Sequence, residues 1–317
     1  MECPLAGIQA TGESRRPAST ASFLSPSPTS RLYDARVRAV ALGADGRPCL
    51  TEVAEPAPPG DLVTVLACGL CGSDMEKIGL SPPGAVLGHE VVALTADGSR
   101  VVLIHHTGCG ECSRCRTGHE STCERFSDPT IVPGGFAERA RASGWLQLPP
   151  EVDDAHGTYV EPLACVLRGA EKVPRGRILI VGNGFIGRLF AAVLETRGDT
   201  VFAVDRHPHR AGVAPDGPVD AAVLCAPGGA DVAFAAVEPG GTVLLFADAG
   251  MLPAAAVYRR ELTVVGSRSA TPQHMAEAVA LLPTLEVPEP TVLPFEEFEE
   301  GFALHQEGRA LKVVLVP

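Results

Sequence analysis

Four cysteines stand close together in one short stretch of the chain. Cys109, Cys112, Cys115 and Cys123 have the spacing Cys-x2-Cys-x2-Cys-x7-Cys. Four thiolates can enclose a zinc ion tetrahedrally, and because protein then fills every coordination position, such an ion has a structural role. Ferredoxin-like iron-sulfur binding is the main alternative, but the last gap of seven residues and the lack of a following proline fit it poorly. Coincidental buried thiols are the remaining alternative. The spacing predicts a closed structural zinc site.

A second group of residues has the types that a catalytic metal needs. A catalytic zinc keeps a coordination position open and so takes fewer protein ligands. The segment from Cys71 onward offers Cys71, His89 and Glu90, and Asp74 is near enough in sequence to orient a ligand. Glu161 precedes a proline at what is predicted to be a helix start. It is a further candidate ligand or, as an alternative, an acidic residue favoured there by the helix dipole.

A glycine-rich turn predicts a dinucleotide site. Gly182-x-Gly184-x-x-Gly187 lies between a predicted strand and a predicted helix, where the helix N-terminus attracts a pyrophosphate. Asp205 ends the next apolar strand, where its carboxylate can accept hydrogen bonds from the ribose hydroxyls of the cofactor. Because a 2′-phosphate would meet a like charge there, Asp205 favours NAD over NADP, and the neighbouring Arg206 weakens that preference. The alternative is a glycine turn that binds nothing. The predicted cofactor-binding residues are Gly182, Gly184, Phe185, Ile186, Gly187, Asp205 and Arg206.

The elements that must position these groups differ along the chain. Residues 1–35 have no hydrophobic period and predict a disordered tail. From there to residue 161, short β-branched runs broken by Gly, Pro and Asp predict a β-rich domain. After Glu161 strands alternate with helices, which predicts a parallel sheet with crossovers and an α/β fold class. The expected divisions are 36–161, 162–267 and 268–317.

Composition limits the partners. The 317 residues carry a formal charge of −12 without a basic cluster, which disfavours nucleic acid. No run of eighteen apolar residues and no apolar leader occurs, so we expect a cytoplasmic protein without a membrane partner. In that reducing compartment the ten cysteines are interpreted as metal ligands and buried thiols rather than as disulfides.

Several motifs together resemble one known family. The segments "ACGLCGSD", "GHE", "CGECSRCRTGHESTC", "VEPLA", "VGNGFIG" and "KVVLVP" occur in the order seen in the zinc-dependent medium-chain alcohol and polyol dehydrogenases. The resemblance spans about residues 38–317. It implies a GroES-like β-rich catalytic domain, a Rossmann domain, and a final stretch that returns to the catalytic domain. The glutamate in "EPLA" is similar to the sorbitol, glucose and threonine dehydrogenase branch.

The resemblance also implies roles for single residues. Cys71, His89 and Glu161 correspond to catalytic zinc ligands, with Glu90 as a ligand or close neighbour. Ser73 matches the hydroxyl that relays the substrate proton. Glu76 replaces a frequent relay histidine, and the alternative for it is a solvated glutamate. His105 matches the substrate-pocket wall, although an ordinary pair of strand-end histidines with His106 is an alternative.

The expected function is hydride transfer between a secondary alcohol of a sugar, cyclitol or polyol and NAD, with two zinc ions per chain. A non-catalytic zinc and nucleotide binding scaffold or sensor is the alternative. By analogy with the family, we expect a homo-oligomer, a dimer or tetramer, for which the apolar strand "TVLLFAD" would be a suitable edge.

One departure from the family pattern stands out. Only thirteen residues separate Asp205 from the next predicted strand at Val219, and they contain three prolines and no helical period. We therefore expect a truncated parallel sheet that lacks one crossover helix and one strand. Such a sheet would enclose the adenosine part of the cofactor less completely.

Overall fold

The computed structural model of the protein describes residues 35–317. The predicted tail therefore lies outside the described residues. The described chain contains two larger sheets, one mainly antiparallel and one parallel, and a separate β-hairpin. The strands are β1 Arg36–Leu42, β2 Pro48–Ala54, β3 Asp61–Gly69, β4 Glu90–Leu94, β5 Arg100–Leu103, β6 Ile131–Val132, β7 Arg139–Ala142, β8 Trp145–Gln147, β9 Arg177–Val181, β10 Thr200–Val204, β11 Val219–Leu224, β12 Val237–Leu245, β13 Thr263–Gly266, β14 Thr291–Pro294 and β15 Val313–Val316.

The longer helices lie after residue 158, and the helices before it are single turns or little more. The helices are α1 Gly72–Lys77, α2 Ser113–Arg116, α3 Asp154–Gly157, α4 Val160–Ala170, α5 Phe185–Thr196, α6 Ala230–Ala236, α7 Ala254–Arg259, α8 Pro272–Leu281 and α9 Phe298–Gln306. Within the described range, no helix is both long and apolar enough to cross a membrane.

The antiparallel sheet includes the C-terminus of the chain. Its order is β14-β15-β3-β4-β5-β8, with β7 pairing with β3 and β6. Strand β15 pairs with the end of β3, where Val314 lies opposite Gly69, and β4 begins opposite the same glycine with Glu90. Three neighbouring strands therefore bring residues from the first third and from the end of the chain together.

The parallel sheet has the truncated form that the sequence predicts. Its order is β10-β9-β11-β12-β13, and the segment between β10 and β11 contains only a short 3-10 turn at Pro208–Arg210. The carboxyl ends of β9, β10 and β11 lead directly to Gly182, Asp205 and Cys225. Parallel strands end at one edge of their sheet, which is where such folds bind ligands. The predicted α/β fold class, with a GroES-like β-rich part and a truncated Rossmann parallel sheet, is thus confirmed.

Two expectations from the sequence are wrong. The segment "TVLLFAD" was expected at a sheet edge, but it belongs to β12, which pairs with β11 on one side and β13 on the other. The edges of the parallel sheet are β10 and β13, which stand at the two ends of its strand order. Cys49 was interpreted as a thiol, whereas the structure has it in a disulfide bond.

Helix α4 joins the two sheets. Leu163 and Ala164 of α4 are fully buried in a cluster that contains Val92 of the antiparallel sheet and Leu244 of the parallel one. Tyr159, just before the helix, is also fully buried and donates a hydrogen bond through its hydroxyl to the Pro288 carbonyl at 2.8 Å. Burial of a large aromatic side chain stabilises a fold by about 1.5–3 kcal/mol. This shared core fixes the cleft between the sheets, while the expected domain boundaries stay predictions.

Candidate functional site: two metal-ligand clusters and a dinucleotide cleft

The four cysteines of the 109–123 loop converge. The Sγ atoms of Cys109 and Cys115 lie 3.9 Å apart, and so do those of Cys112 and Cys123. A tetrahedral ion with four Zn–S bonds of about 2.3 Å separates its sulfurs by roughly 3.8 Å. The spacing of the thiols therefore fits a zinc ion closely.

Backbone N–H groups of the loop point at these sulfurs. Cys109 N–H donates to Cys123 Sγ at 3.4 Å, and Cys112 N–H donates to Cys109 Sγ at 3.3 Å. Hydrogen bonds from Glu124 and Cys115 lower the pKa of Cys112 to about 6, whereas burial raises the pKa of Cys115 to about 12. Donors aimed at sulfur favour the thiolate form, which is the form that binds metal.

A second cluster lies where β3 and β4 meet. Cys71 directly follows β3 and precedes α1, while His89 and Glu90 stand at the start of β4. One ligand atom from each of the three lies within 4.8 Å of the other two. His89 and Glu90 are buried and Cys71 is half-buried. Sulfur, imidazole nitrogen and carboxylate oxygen are the donors that zinc binds, and three of them leave a position open.

The Asp74 carboxylate contacts the backbone and the histidine ring of this second cluster. The fully buried carboxylate accepts hydrogen bonds from Cys71 N–H and Gly88 N–H, both at 3.1 Å, and one of its oxygens lies 3.3 Å from His89 Nδ1. That nitrogen is buried and has no hydrogen-bond partner among the described residues. Burial opposes a charge on His89, but the Asp74 carboxylate outweighs it and raises the pKa of the ring well above its usual value. The sequence expectation that Asp74 lies next to the ligands agrees with this geometry.

Glu90 has a partner that sequence reasoning did not assign. Its Oε2 pairs with the ammonium of Lys312, which also donates to the Leu70 carbonyl at 3.1 Å. Burial disfavours the charge on Lys312, but Glu90 and Cys71 outweigh it and raise the pKa of the lysine. The Glu90 side chain also lies against the backbone of Gly69, because a Cβ at that position would lie only 2.0 Å from Glu90 Oε2. One signal was available: Lys312 is a charged residue directly before the apolar final strand β15.

The structure does not bring Glu161 into the close group of Cys71, His89 and Glu90. Its side chain is buried in α4 and accepts a hydrogen bond from Cys165 Sγ at 3.4 Å. Burial raises the pKa of Glu161, and the charge of Glu90 adds to this while His89 opposes it. Glu161 is therefore close enough to be influenced by the cluster, but its role as a ligand stays a prediction.

The expected catalytic residues lie around the cluster at different depths. Ser73 is half-buried on α1 and its hydroxyl donates to Cys71 Sγ at 3.5 Å. Glu76 is exposed on the same helix. His105 is half-buried, with its ring centroid 4.5 Å from that of His89. Their catalytic roles stay predictions.

A cleft of about 680 Å³ connects the glycine turn with the second cluster. Gly182, Gly184, Asp205 and Arg206 line one part of it, and Cys71, Glu90 and Lys312 line another; Phe185, Ile186 and Gly187 also contribute. Gly182 has φ +98°, and a Cβ on Gly187 would lie 2.1 Å from the Gly182 carbonyl oxygen. Both positions therefore require glycine, as expected for a glycine-rich turn that binds a dinucleotide.

Backbone groups already engage the Asp205 carboxylate. It accepts hydrogen bonds from Asn183 N–H and His207 N–H, each at 2.8 Å. A carboxylate has about four acceptor positions, so two stay available for ribose hydroxyls. Arg210, which sequence reasoning did not single out, reaches across the cleft to the Gly308 carbonyl and lies beside Gly184. The basic segment after Asp205 was the available signal.

Comparison with known proteins is consistent with these features. The alcohol dehydrogenase GroES-like domain matches residues 59–150. D-Altritol 5-dehydrogenase of Agrobacterium fabrum is 32% identical over 75% of this chain and 86% of its own length. L-Galactonate-5-dehydrogenase of Escherichia coli is 28% identical over 71% of this chain and 81% of its own length.

The fold also matches a solved structure over nearly its full length. A Sinorhizobium meliloti protein assigned to the zinc-binding dehydrogenases, with NADP bound, superposes with a TM-score of 0.76 at 25% identity. The match covers 90% of this chain and 100% of that one.

Proposed function

This chain belongs to the zinc-dependent medium-chain alcohol and polyol dehydrogenases, and on that basis we propose that it transfers a hydride between a secondary alcohol of a sugar, cyclitol or polyol and NAD. The observation that carries the proposal is the single cleft that reaches from the glycine turn to Cys71 and Glu90. A cofactor whose pyrophosphate rests on that turn can extend its nicotinamide toward the metal ligands.

Cys71, His89 and Glu90 would hold the catalytic zinc, with Glu161 as a further carboxylate nearby. The four cysteines of the 109–123 loop would hold the structural zinc. Bound zinc supplies Lewis acidity, which lowers the pKa of an alcohol as it lowers that of water from 15.7 to about 7. Glu90 has two carboxylate oxygens, so its ion pair with Lys312 through Oε2 leaves the other oxygen for a metal.

The chain's own residues offer a path for the substrate proton. The Ser73 hydroxyl, next to the Cys71 sulfur, would accept the proton from a substrate hydroxyl while its own proton passes on to the Glu76 carboxylate. Glu76 follows Ser73 by three residues on α1, so the two side chains share a face of the helix. Because Glu76 is exposed, it can pass the proton to water.

Residues of the parallel sheet would orient the cofactor. The N-terminus of α5 favours the pyrophosphate, and the free acceptor positions of Asp205 favour the unmodified ribose of NAD. Lys312 lies 4.8 Å above the ring of Phe185, so a cation stands between the glycine turn and the metal ligands. Because the Sinorhizobium meliloti relative has NADP bound, turnover is measured with NADP as well as with NAD.

The test is turnover by purified full-length protein with its zinc content determined on the same sample. We expect two zinc ions per chain and NAD reduction with members of a panel of polyols, sugars, sugar acids, cyclitols and short alcohols. A lower kcat/KM with NAD than with NADP would overturn the cofactor assignment alone.

The truncated parallel sheet favours one alternative, a zinc and nucleotide binding scaffold. One zinc ion per chain, together with no turnover on any member of the panel, would select the scaffold and reject the dehydrogenase.

A further inference from the structure

A second cavity, of about 540 Å³, lies between α5, the edge strand β10 and the segment 284–288. From β10, Val201 and Ala203 line it, and because side chains two apart point to the same face of a sheet, both lie on one face. The same two residues belong to the core cluster of Leu189 in α5. The second cavity therefore lies beside α5, on the face of the parallel sheet that this helix covers.

The truncation of the parallel sheet accounts for this cavity. Crossovers between parallel strands are right-handed, so a helix that followed β10 to a further outer strand would pack beside α5 on the same face. The chain instead passes from β10 to β11 through one short 3-10 turn, and Gly212 and Val213 of this connection line the cavity. Val213 is 72% exposed. The space that a crossover helix would fill is therefore open.

Arg188 of α5 lines the cavity and has an unused donor. Its Nε is buried and has no hydrogen-bond partner among residues 35–317. The half-buried guanidinium also forms no ion pair with a residue of that range. Because buried donors in folded proteins nearly always have an acceptor, this nitrogen indicates an acceptor that a bound molecule supplies.

The other residues of the cavity limit the chemistry of that molecule. A guanidinium binds a carboxylate with two parallel hydrogen bonds. Glu195 and Glu286, both exposed, also line the cavity, and they repel a multiply charged anion such as phosphate more than a single carboxylate. Apolar side chains supply most of the remaining wall: Ala191, Ala192, Val201, Ala203, Val213 and Leu285. The cavity therefore favours one negative charge joined to a hydrocarbon chain.

We infer that the second cavity is a binding site for a short aliphatic monocarboxylate, whose carboxylate pairs with Arg188 and whose hydrocarbon chain lies against α5 and β10. The inference does not depend on the proposed dehydrogenase function, because neither Cys71 nor Glu90 lines this cavity. The site adjoins the cofactor turn through Asn183, which lines the second cavity and donates its backbone N–H to Asp205 at 2.8 Å.

The experiment is calorimetric titration of the full-length protein with hexanoate, with and without NADH. We expect a Kd of about 1 mM or lower that NADH does not abolish. Hexanamide should bind at least about tenfold more weakly, because it has the same chain without the charge. Acetate should also bind at least about tenfold more weakly, because it lacks most of the chain that the apolar wall removes from water. Inorganic phosphate should bind more weakly than hexanoate.

Two variants test the two halves of the site. Arg188→Gln removes the charge and should weaken hexanoate binding by at least about tenfold. Ala192→Phe keeps the charge and fills the cavity, and it should weaken hexanoate binding to a similar extent.

Arg259→Gln is the matched control, because it removes the charge of an exposed arginine on α7, away from the cavity. Thermal unfolding of each variant verifies that it folds. No binding of hexanoate, equal affinity for hexanamide or phosphate, or undiminished binding in Arg188→Gln would overturn the inference. Loss of hexanoate binding on addition of NADH would assign the acid to the catalytic cleft and overturn it as well. Absence of dehydrogenase turnover would overturn the proposed function alone.

Discussion

The two metal-ligand clusters are built in opposite ways. The closed cluster, which consists of the four cysteines of the 109–123 loop, takes four identical ligands from fifteen residues, and backbone N–H groups of the same loop donate to the sulfurs. The open cluster, which consists of Cys71, His89 and Glu90, takes three different ligands from the segment after β3 and the start of β4. It depends on Asp74 from α1 and Lys312 from the C-terminal segment. The first cluster is a local structure, whereas the second exists only in the assembled fold.

This difference indicates which property each cluster controls. A loop closed by a metal contributes folding free energy, because the ion binds the ordered loop and not the unfolded chain. An open cluster supported by other elements contributes reactivity, because its vacant position accepts a substrate oxygen. The predictions below separate stability from turnover on this basis.

The largest effect is expected at the open cluster. Cys71→Ala removes one of its three ligands, so kcat should fall by at least about 10³-fold while Tm changes by less than about 2 °C. Steady-state kinetics and a thermal melt measure the two quantities. Cys225→Ala is the control, since Cys225 is a free thiol lining the same cleft. Turnover retained in Cys71→Ala would show that this thiol holds no catalytic metal.

Cys112→Ala should have the reverse profile. Loss of one of four ligands releases the structural ion and should destabilise the fold by at least about 2 kcal/mol, which corresponds to about 3 °C in Tm for a chain of this length. Zinc content should fall by one ion per chain, and the 109–123 loop should become sensitive to protease. Ser113→Ala, an exposed neighbour in the same loop, controls for local disturbance. An unchanged Tm would contradict the structural role.

Asp74→Asn tests whether the open cluster depends on its support. The amide keeps the shape but loses the charge next to His89, and we expect zinc affinity at this cluster to fall by about 10- to 100-fold. Competition with a chelator measures it. The closed cluster should keep its ion, and Asp128→Asn in an exposed position should change neither. Equal weakening of both ions would refute the distinction between the clusters.

The smallest effect concerns acid stability beside the open cluster. Burial holds the pKa of His106 at about 4 in the folded chain, below the value of about 6.5 in the unfolded chain. The unfolded chain therefore takes up a proton first, so stability present above pH 6.5 is lost as pH falls toward 4. His106→Asn tolerates the positive φ, and its Tm should fall a few degrees less between pH 7 and pH 5. His119→Asn, which is exposed, should follow the wild type.

Sequence reasoning succeeded where a function is encoded in consecutive residues. The glycine turn, helix α5 and the four-cysteine loop follow from spacing, because one element and its adjoining turn contain all the necessary groups. The truncation after Asp205 was predicted for the same reason: three prolines in thirteen residues leave no room for a helix and a strand.

Sequence reasoning failed where residues from distant segments of the chain come into contact. The ion pair of Glu90 with Lys312 joins residues 222 positions apart, and the contacts of Phe126 with His106 and Arg268 join separate segments of the chain. The internal position of β12 was also missed, because an apolar strand has the same composition in the centre of a parallel sheet and at an apolar edge.

The amino-acid sequence alone determined the fold class and the residue types of both candidate metal clusters, since these follow from local spacing and periodicity, and the resemblance of its motifs to known proteins indicated the family. Only the tertiary structure decided which carboxylate stands with Cys71 and His89 and which cation neutralises it. Electrostatic interactions act through space at distances of a few ångströms, and the pairing of β4 and β15 with β3 is what brings Glu90 and Lys312 that close.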